Sequence, residues 1–508
     1  MKTTRTWSVA LVGVEGAMVE VEADLSNQEP QFKIIGLADK ALGEAVQRVH
    51  NACGNSGLSL PRRRLTVNLS PASLPKQGSG FDLAIAIASI ATEGGMDAAS
   101  IASTVHLGEL GLDGRLRPIP GVLPSVVAAA RAGHARVVVP YANLEEASLV
   151  DGITVIGAIS LAEVAVLHGS TIEIPHAEAI TVPIEDEALE APIDLAEVVG
   201  QPEAVEALIV AAAGGHHLMM CGPPGAGKTM LARRLPGILP DLDDRAALAT
   251  ASIRSLAGIP VRALTRTPPF EAPHHSASVA ALVGGGSRIV RPGAISRASD
   301  GVLFLDEAGE FAASALDALR QPLESATIHI HRAGMSAVFP ARFQLVLATN
   351  PCPCGNYGMR GANCTCTPMA IRRYLGRLSG PLLDRIDIEL TLARVTVAGM
   401  SRAAGAVTSA QARERVIEAR ARSAHRLRET PWDVNVHVPG AWLREGPEAP
   451  VPAVRRPLDA ALHRGALTLR GYDRVLRVAW SLADLAGRPQ LGVDDIGRAL
   501  YLKKGLMA

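Results

Sequence analysis

Apolar and polar positions follow two different periods in the first third of the chain. Up to about residue 168, short apolar runs typical of buried strands alternate with Ala-rich segments that have the period of a helix. We predict strands at 64–69 and 136–140 and helices at 81–91 and 122–132. Residues 1–24 predict a first strand rather than a signal peptide, because the apolar run is short and no convincing cleavage site follows it.

Beyond residue 170 the pattern changes twice. Residues 171–194 are acidic and contain several prolines, and since little in them could form a core we predict a linker. An α/β pattern then returns, and the last part of the chain is rich in Arg and Ala with a helical period at 409–428, 472–486 and 494–503. The four predicted parts are an α/β domain at 1–170, the linker at 171–194, an α/β module at 195–395 and a helical domain at 396–508.

Composition narrows the class of protein. A chain of 508 residues is too long for one hydrophobic core. Lys and Arg total 50 and Asp and Glu total 50, so any contact with nucleic acid is expected to be local rather than spread over the surface. Aromatic residues make up 3%, which argues against a base-stacking platform. The chain has no run of eighteen apolar residues and only six cysteines, so we expect no membrane span and a cytoplasmic location.

One motif in the second α/β stretch carries specific chemistry. Residues 222–229 read G-P-P-G-A-G-K-T and fit the phosphate-binding pattern G-x-x-x-x-G-K-[ST] at every position. A predicted strand precedes this P-loop and a predicted helix follows it, as phosphate binding at a helix N-terminus requires. Lys228 would reach the β- and γ-phosphates of ATP, and the Thr229 hydroxyl would ligate Mg²⁺. The predicted nucleotide contacts are Gly222, Pro223, Pro224, Gly225, Ala226, Gly227, Lys228, Thr229 and Met230.

A second predicted strand ends in two adjacent acids. Four apolar residues, 302–305, lead directly into Asp306 and Glu307. We predict that Asp306 holds Mg²⁺ and that Glu307 polarises the attacking water, which would make the chain an ATP hydrolase. An ordinary strand end is the alternative, and the P-loop upstream weighs against it.

Two more polar positions follow in the same module. The predicted strand 343–349 ends at Asn350, and ligands bind at the carboxyl ends of strands in open α/β sheets. Asn350 could therefore help to position the water beside Glu307. Arg385 is flanked by Asp384 and Asp387. It either forms an ion pair within the chain or acts as an arginine finger on the γ-phosphate bound by a neighbouring copy.

Four of the six cysteines lie within fifteen residues. They are Cys352, Cys354, Cys364 and Cys366. Four thiolates on a short polar loop can complete a tetrahedral Zn²⁺ site, and its closed coordination would make the metal structural. The C-x-C spacing is tighter than the usual C-x₂-C. Disulfides and core-filling thiols are the alternatives; a reducing cytoplasm disfavours the first, and the Gly, Asn and Thr nearby disfavour the second.

Five short strings in this module are shared with one protein family. They are P-H-H-S-A-S at 273–278, L-V-G-G-G-S at 282–287, R-P-G-A-I-S at 291–296, L-R-Q-P-L-E at 319–324 and N-P-C-P-C-G at 350–355. With the P-loop they resemble the magnesium-chelatase-like AAA+ family, above all its ComM/YifB branch, over nearly the whole chain. The resemblance implies an AAA+ module with an insertion near 271–297, a hairpin near 328–338 and a helical C-terminal lid.

The resemblance also assigns a residue in that lid. The segment 467–474, L-T-L-R-G-Y-D-R, is similar to the family's sensor 2 segment. It implies that Arg470 contacts the γ-phosphate, with Arg474 as the second choice. Taken alone, an arginine on such a helix is more often solvated or paired. In the same family scheme Asn350 takes the position called sensor 1.

The first 170 residues resemble the Lon-protease-like fold, also known as ribosomal protein S5 domain 2-like. The strings that carry this resemblance are 74–83 and 108–121. A working site of that type needs a Ser nucleophile and a Lys base in contact. In the alignment that the resemblance implies, the nucleophile position falls at Gly80 and the base position falls near Leu123, while Ser79 and Lys76 are out of register. We therefore predict a scaffold or substrate-engaging domain without peptidase activity, with Lys76 and 62–64 on a solvated basic face or touching phosphates.

The substrate that this ATPase moves, DNA or protein, is implied by the resemblance alone. The ComM/YifB branch implies a ring of identical chains, a hexamer, that acts as a DNA helicase and moves branch points during natural transformation and homologous recombination. Basic groups of the insertion and the hairpin could enter the pore: Arg288, His329, His331 and Arg332. The second hypothesis is a protein-remodelling ATPase analogous to the chelatase motor subunit, which the zero net charge favours.

Overall fold

The computed structural model describes residues 3–36, 40–181, 193–286, 290–332, 335–358, 363–395 and 406–503. Its β-strands are β1 (Thr3–Val12), β2 (Glu15–Ser26), β3 (Gln31–Ile35), β4 (Arg64–Ser70), β5 (Thr104–His106), β6 (Glu109–Leu110), β7 (Leu116–Arg117), β8 (Arg136–Pro140), β9 (Thr154–Ala158), β10 (Leu218–Cys221), β11 (Phe270–Glu271), β12 (Gly284–Gly285), β13 (Arg291–Pro292), β14 (Val302–Leu305), β15 (Thr327–Arg332), β16 (Met335–Pro340), β17 (Gln344–Thr349) and β18 (Ile388–Thr391).

Helices occur in all three of the large segments predicted from the sequence. They are α1 (Lys40–Asn55), α2 (Asp82–Ala91), α3 (Ala98–Ala102), α4 (Val122–Arg131), α5 (Leu144–Ala147), α6 (Leu161–Leu167), α7 (Pro202–Gly214), α8 (Lys228–Ile238), α9 (Asp244–Ala257), α10 (Val279–Val283), α11 (Ala294–Arg297), α12 (Ala313–Asp317), α13 (Pro322–Ser325), α14 (Pro368–Leu375), α15 (Gly380–Leu383), α16 (Ser409–Arg426), α17 (Gly440–Glu445), α18 (Pro452–His463), α19 (Leu469–Leu485) and α20 (Val493–Lys503). Within the described ranges, none of them is long and apolar enough to cross a membrane.

The amino-terminal part is built on a mixed seven-stranded sheet. Its strand order is β3-β4-β2-β1-β5-β8-β9. β2 is antiparallel to its neighbours β1 and β4, whereas β3 is parallel to β4, and β5, β8 and β9 run parallel to β1. Alternate residues of β4 are buried, as expected for a sheet with one face on the core. The strands and helices predicted at 64–69, 136–140, 81–91 and 122–132 are confirmed to within one residue at each end.

The first strand predicted within residues 1–24 is present as β1, but the prediction missed a second strand in the same stretch. This stretch contains an antiparallel hairpin of β1 and β2, in which Leu11 faces Gly16 and Val12 faces Glu15. The chain reverses at Gly13, whose φ of +65° lies in the left-handed region that glycine adopts without steric cost. A turn of this kind needs a single glycine inside an apolar run, so the run alone could not reveal it.

The second sheet is entirely parallel and positions the candidate site. Its order is β11-β14-β17-β10-β18. The strands β10, β14 and β17 are buried along their whole length, as parallel strands covered on both faces are. Because parallel strands end at the same edge, the residues that follow these three neighbouring strands meet at one edge of the sheet.

The helices after residue 406 share a core with this sheet. One cluster of buried side chains joins β10, α7, α16 and α19 and includes Val416 and Trp480. The Arg426 guanidinium lies 4.1 Å from the centre of the Trp480 ring. Arg420 donates to the carbonyl of Ala212 at 2.7 Å. The predicted helices at 409–428, 472–486 and 494–503 are confirmed as α16, α19 and α20.

The predicted linker is described only in part. Residues 171–181 have no regular secondary structure, and 182–192 lie outside the described residues. At its far end Asp194 accepts hydrogen bonds from the N–H groups of Ala196 and Ser409, which ties the start of the module to the first turn of α16.

The amino-terminal part contacts the module through the turn of its first hairpin and through α4. Leu11 and Val14 pack against the core cluster that contains Ile330 of β15. At the turn, a Cβ on Gly13 would overlap the carbonyl oxygen of Val338. The N–H of Gly121, at the start of α4, donates to the carbonyl of Ser255 in α9 at 3.0 Å.

Candidate nucleotide site

The P-loop lies between β10 and α8, as the sequence predicts. Gly225 and Gly227 have φ values of +77° and +81°, which residues with a Cβ rarely adopt. Gly222 has another reason to be a glycine, since a Cβ there would overlap the carbonyl oxygen of Leu392. These positions let the loop curl tightly at the N-terminus of α8, where backbone N–H groups can bind a phosphate.

Lys228 is buried in the centre of this loop. Its ammonium donates to the carbonyls of Gly222 at 2.7 Å and Pro223 at 3.1 Å and to Oδ1 of Asn350 at 3.0 Å. Burial lowers the pKa of Lys228, and the carboxylate of Asp306 opposes that change. All three partners are oxygen atoms, so phosphate oxygens of the same kind can replace them. The surroundings of the lysine therefore fit a bound nucleotide.

The two predicted magnesium ligands lie together. The hydroxyl of Thr229, in the first turn of α8, donates to Oδ2 of Asp306 at 2.6 Å. Asp306 directly follows β14, and the P-loop strand β10 is separated from β14 by β17 alone. A hydroxyl and a carboxylate at this distance form the oxygen donor set that Mg²⁺ prefers. The pair therefore fits the predicted metal.

Glu307 is held in an unusual backbone conformation. Its φ is +50°, and for a residue other than glycine such a conformation costs about 1–3 kcal/mol. The N–H of Glu307 donates to Oδ1 of Asp306 at 2.9 Å. Its side chain is about half exposed, and Oε2 lies 3.3 Å from Nδ1 of His275. The strained turn therefore points the two acids in different directions, one toward the P-loop and the other toward His275.

His275 belongs to the segment predicted as an insertion at 271–297. That segment starts at β11, the edge strand beside β14. Its two ends are joined by a two-fold ion pair, in which Arg297 donates to both carboxylate oxygens of Glu271 at 3.1 and 2.8 Å. The ion pair thus holds the two ends of the predicted insertion against each other. Within the insertion, His275 contacts Glu307, the predicted catalytic carboxylate.

Asn350 and the cysteine loop follow β17 at the same edge. Asn350 contacts Lys228, as described above, and Cys352 is buried two residues later. The four predicted thiol ligands are brought together, with all four sulfur atoms within 4.8 Å of one another. Backbone N–H groups of Asn356 and Thr365 lower the pKa of the Cys354 thiol to about 6.

Arg385 lies at the other edge of the sheet. It precedes β18, and the N–H of Asp387 donates to the carbonyl of His217, the residue before β10, at 3.0 Å. This is the amino-terminal end of both strands, whereas the P-loop leaves the carboxyl end of β10. Arg385 is 8% exposed and donates to Glu324 and to the carbonyl of Pro381, while its Nε–H has no partner among the described residues.

The arginines of α19 also lie at this amino-terminal edge. Arg470 is 71% exposed in its side chain, and its Nη1 lies 3.8 Å from Oδ2 of Asp384. Arg474 is more deeply placed and donates to Oδ1 of Asp387 at 2.6 Å. Burial alone would raise the pKa of the enclosed Asp387 carboxyl, but Arg474 and His216 hold that pKa well below its usual range. Neither arginine is brought to the P-loop of its own chain.

The residues discussed for a peptidase site do not form one. Gly80 lines a small cleft covered by Leu256 of the module, and Leu123 is buried against Ala251 of α9. The hydroxyl of Ser79 donates to Glu109. The expectation that Lys76 lies on a solvated face is wrong. Its side chain is fully buried and its ammonium donates to the carbonyls of Leu69, at 3.0 Å, and Pro71, which replace water as its partners.

The predicted hairpin is confirmed, and two of the four basic pore candidates are described on it. β15 and β16 pair antiparallel, with Ile328 opposite Phe339 and both buried. His329 and His331 are exposed on the other face, and their rings are stacked at 6.1 Å. Arg288 and the side chain of Arg332 lie outside the described residues.

Comparison with known proteins places this site in a family. Three family models match successive parts of the chain: "Subunit ChlI of Mg-chelatase" at 21–143, "Magnesium chelatase, subunit ChlI" at 194–400 and "Magnesium chelatase, subunit ChlI C-terminal" at 406–503. Competence protein ComM of Haemophilus influenzae is 39% identical over 98% of this chain and 97% of its own length. The chain belongs to the ComM/YifB-like branch of the magnesium-chelatase-like family.

Two further relatives match the chain over nearly its whole length. YifB of Escherichia coli is 40% identical over 94% of this chain and 92% of its own length. The protein Rv2897c of Mycobacterium tuberculosis is 50% identical over 99% of both chains. The resemblance deduced from the short strings is therefore confirmed, and membership of this AAA+ family indicates ATP hydrolysis as the activity.

Sequence reasoning missed three residues of the site. His275 stands in a string that was noted for the family, but its contact with Glu307 was not predicted. Glu324 ends another of those strings and pairs with Arg385. Gln201 supports the P-loop by donating to the carbonyl of Ala226 at 2.6 Å. The first two positions were signalled by their presence in the family strings, whereas nothing in the sequence marked Gln201.

Proposed function

We propose that the protein is an AAA+ ATPase that works in the cytoplasm as a ring of identical chains, a hexamer, and drives DNA strands past one another as a helicase and branch-migration factor. The observation that carries this proposal is the contact set at one edge of the parallel sheet. There Lys228, Thr229, Asp306 and Asn350 converge from three neighbouring strands. The proposed role in natural transformation and homologous recombination rests on the relative named competence protein ComM.

Each residue of the contact set has a proposed task in hydrolysis. Lys228 and the loop N–H groups bind the phosphates and orient the terminal one. Thr229 and Asp306 hold Mg²⁺, which neutralises phosphate charge when it is bound with ATP. Glu307 accepts a proton from the attacking water, and Asn350 holds that water in line. Because Glu307 now contacts His275, it must leave that contact before it can take up this position.

The positive charge that stabilises the γ-phosphate during hydrolysis is proposed to come in part from arginines of a neighbouring copy. Arg385 and Arg470 lie at the edge of the sheet opposite to the P-loop of their own chain, so a phosphate bound there is out of their reach. In a ring, that edge of one copy would face the P-loop of the next, and both guanidinium groups would contact its γ-phosphate. Arg385 would exchange Glu324 for the phosphate, and assembly would then be required for hydrolysis.

A DNA substrate is favoured by the family membership and by the hairpin. His329 and His331 present polar rings on one exposed face of β15, whose other face is buried. A local polar surface of this kind suits a pore that contacts DNA at a few points. The net charge of zero weighs against DNA binding over a broad basic surface. The same neutrality supports the second candidate function, a protein-remodelling ATPase.

ATP hydrolysis measured with different polymers distinguishes the two functions. The rate is compared without polymer and with single-stranded DNA, duplex DNA and a four-way junction, with Glu307→Gln as the inactive reference. Strong stimulation by the junction is expected for a branch-migration motor. Equal rates with every DNA would reject the DNA motor and favour protein remodelling.

The proposed cofactors are ATP, Mg²⁺ and a structural Zn²⁺. The first two are supported by the P-loop and by the Thr229–Asp306 pair. Zinc is supported by the convergence of four thiols without a carboxylate or histidine among them, because soft thiolate ligands in a closed set of four are typical of structural zinc.

A further inference from the structure

The four thiols have the spacing of ligands around one metal ion. The sulfur of Cys352 lies 3.4 Å from that of Cys354 and 3.7 Å from that of Cys364, and the sulfurs of Cys354 and Cys364 lie 3.6 Å apart. Four Zn–S bonds of about 2.3 Å in a tetrahedron separate the sulfurs by about 3.8 Å. A disulfide needs about 2.0 Å, and all four cysteines are free thiols.

The first half of this cysteine loop lies directly against the P-loop. Residues 352–355 form a tight turn, in which the N–H of Gly355 donates to the carbonyl of Cys352 at 2.9 Å. Gly355 has a φ of +77°, and a Cβ on it would overlap the ring of Pro224. The backbone of the turn at 352–355 therefore packs directly against Pro224 of the P-loop, a contact that we call the P-loop wall. The N–H of Tyr357 donates to the Cys352 sulfur at 3.3 Å, and hydrogen bonds of this kind orient the thiolate ligands of metal sites.

The second half leads to the two acids. After Cys366, Thr367 caps α14 by accepting from the N–H of Ala370 at 3.2 Å. Tyr374, near the end of this helix, packs so closely on Gly309 that a Cβ there would overlap its ring. Gly309 is two residues beyond Glu307. The two halves of the loop thus contact the two sides of the candidate nucleotide site.

We propose that zinc bound by Cys352, Cys354, Cys364 and Cys366 joins the P-loop wall to the helix behind Glu307, so that zinc and nucleotide bind cooperatively. Ligation fixes residues 364–366 on the turn at 352–355 through metal bonds, which hydrogen bonds between thiols cannot match in strength. The P-loop then keeps the shape that Pro224 and Gly355 impose on it. This inference rests on nucleotide binding at the P-loop, which is part of the proposed function.

Cooperativity of this kind is reciprocal. If zinc raises the affinity for nucleotide by some factor, nucleotide raises the affinity for zinc by the same factor. Couplings between sites in proteins are commonly about 5- to 150-fold. Because the two sites here share a direct backbone contact, we expect at least about fivefold.

The metal is tested first, on the full chain purified without chelator. About one zinc per chain is expected by elemental analysis. Exchange with Co²⁺ should give the intense near-ultraviolet bands of thiolate-to-cobalt charge transfer, which Cys364→Ser weakens. Absence of zinc together with absence of these bands after Co²⁺ addition would overturn the metal site, while ATP binding measured on the same sample would leave the motor proposal standing.

The coupling is tested on the same wild-type protein. The affinity for zinc is measured by equilibrium competition with a chromogenic chelator, with and without a non-hydrolysable ATP analogue and Mg²⁺. At least fivefold tighter zinc binding is expected with the analogue. Equal zinc affinities in a sample that binds the analogue would overturn the coupling and leave zinc in place. A sample that binds no analogue would instead contradict the proposed function.

Two glycines of the loop provide a matched pair of variants. Gly355→Ala places a methyl group against Pro224, whereas Gly358→Ala has nearly the same positive φ, +71°, and nothing within 4 Å of the added methyl group. Gly355→Ala is expected to keep its zinc but to bind nucleotide at least fivefold more weakly and to lose the tighter zinc binding that the analogue brings. Gly358→Ala should resemble wild type in both measurements. Equal losses in the two variants would reject the wall contact, because backbone strain alone would then explain them.

Discussion

In the proposed mechanism, the two edges of the parallel sheet carry different halves of one catalytic site. At the carboxyl edge, Lys228 donates to Asn350 at 3.0 Å and Thr229 donates to Asp306 at 2.6 Å, so the proposed phosphate-binding half is already assembled in a single chain. At the amino edge, the arginines bind carboxylates of their own chain instead. If the proposed function is right, the first half needs only a ligand, whereas the arginines of the second half must leave their carboxylate partners to reach a phosphate on a second copy.

The sharpest test of this difference between the two edges removes Arg385, the proposed arginine finger. Arg385→Ala is expected to lower the ATPase rate of the assembled protein about 10³-fold, because an arginine finger contributes about 10³ to 10⁵ in rate. Nucleotide affinity should stay within about twofold of wild type, since the P-loop edge is untouched. The exposed Arg266→Ala, whose partner Asp244 is also exposed, serves as control and should be neutral in both measurements.

Mixed assemblies decide whether this arginine acts between copies. Rings that combine Arg385→Ala chains with Glu307→Gln chains should recover part of the activity, because the intact P-loop edge of the first then faces the intact arginine of the second. If no mixture is more active than its components, the two edges belong to separate sites and the comparison fails.

A second variant at the amino edge is expected to affect stability. Arg474→Ala leaves the fully buried Asp387 without its main ion-pair partner, and breaking a buried pair costs about 3–5 kcal/mol. Denaturant unfolding should show a loss of this size at neutral pH. Arg470→Ala, on the same helix but paired with the exposed Asp384, should cost less than about 1 kcal/mol.

The stability loss in Arg474→Ala should depend on pH in a defined direction. In wild type the pKa of Asp387 is depressed, so its contribution to stability is present above the ordinary carboxyl pKa and is lost as the pH falls through the folded value. Without Arg474, burial raises the pKa of Asp387, and protonation in mild acid removes the unpaired charge. The difference between variant and wild type should therefore shrink toward acid pH, and a difference that grows would contradict the assignment.

At the carboxyl edge, Glu307→Gln separates binding from chemistry. Loss of a general base lowers rates by about 10² to 10⁴, so at least a 100-fold fall in kcat is expected with nucleotide affinity preserved. Glu310→Gln, whose carboxylate pairs with Arg377, should lose much less. A parallel loss of affinity in Glu307→Gln would mean that this acid belongs to the binding set, contrary to its orientation toward His275.

The smallest effect is expected at Arg470. Its exposed guanidinium is loosely paired, so it can turn toward a neighbouring copy at little cost, and Arg470→Ala should lower the ATPase rate about tenfold, or about 1.4 kcal/mol. Steady-state rates at saturating ATP measure the change. A normal rate in Arg470→Ala would show that this residue has no part in hydrolysis. It would favour the alternative that Arg470 is a solvated or paired arginine on a helix surface.

The sequence predicted the carboxyl edge far better than the amino edge. Strands of four to six buried residues and the P-loop are local patterns, so their ends and the acids that follow could be located in advance. The partners of Arg385 could not, because Glu324 is 61 positions away and only the fold brings them together. Lys76 could not be placed from the sequence for a similar reason. A lysine is expected to be exposed unless carbonyl groups enclose it, and only the fold shows that they do.

Leu123 helps to fix the amino-terminal part on the module. Its side chain, in the first turn of α4, is fully buried against Ala251 of α9 and against Val261. The N–H of the same residue donates to the hydroxyl of Ser255 at 3.4 Å. A side chain at position 123 must therefore fit this apolar contact, so the position serves the joint between α4 and α9 and leaves little freedom for any other task.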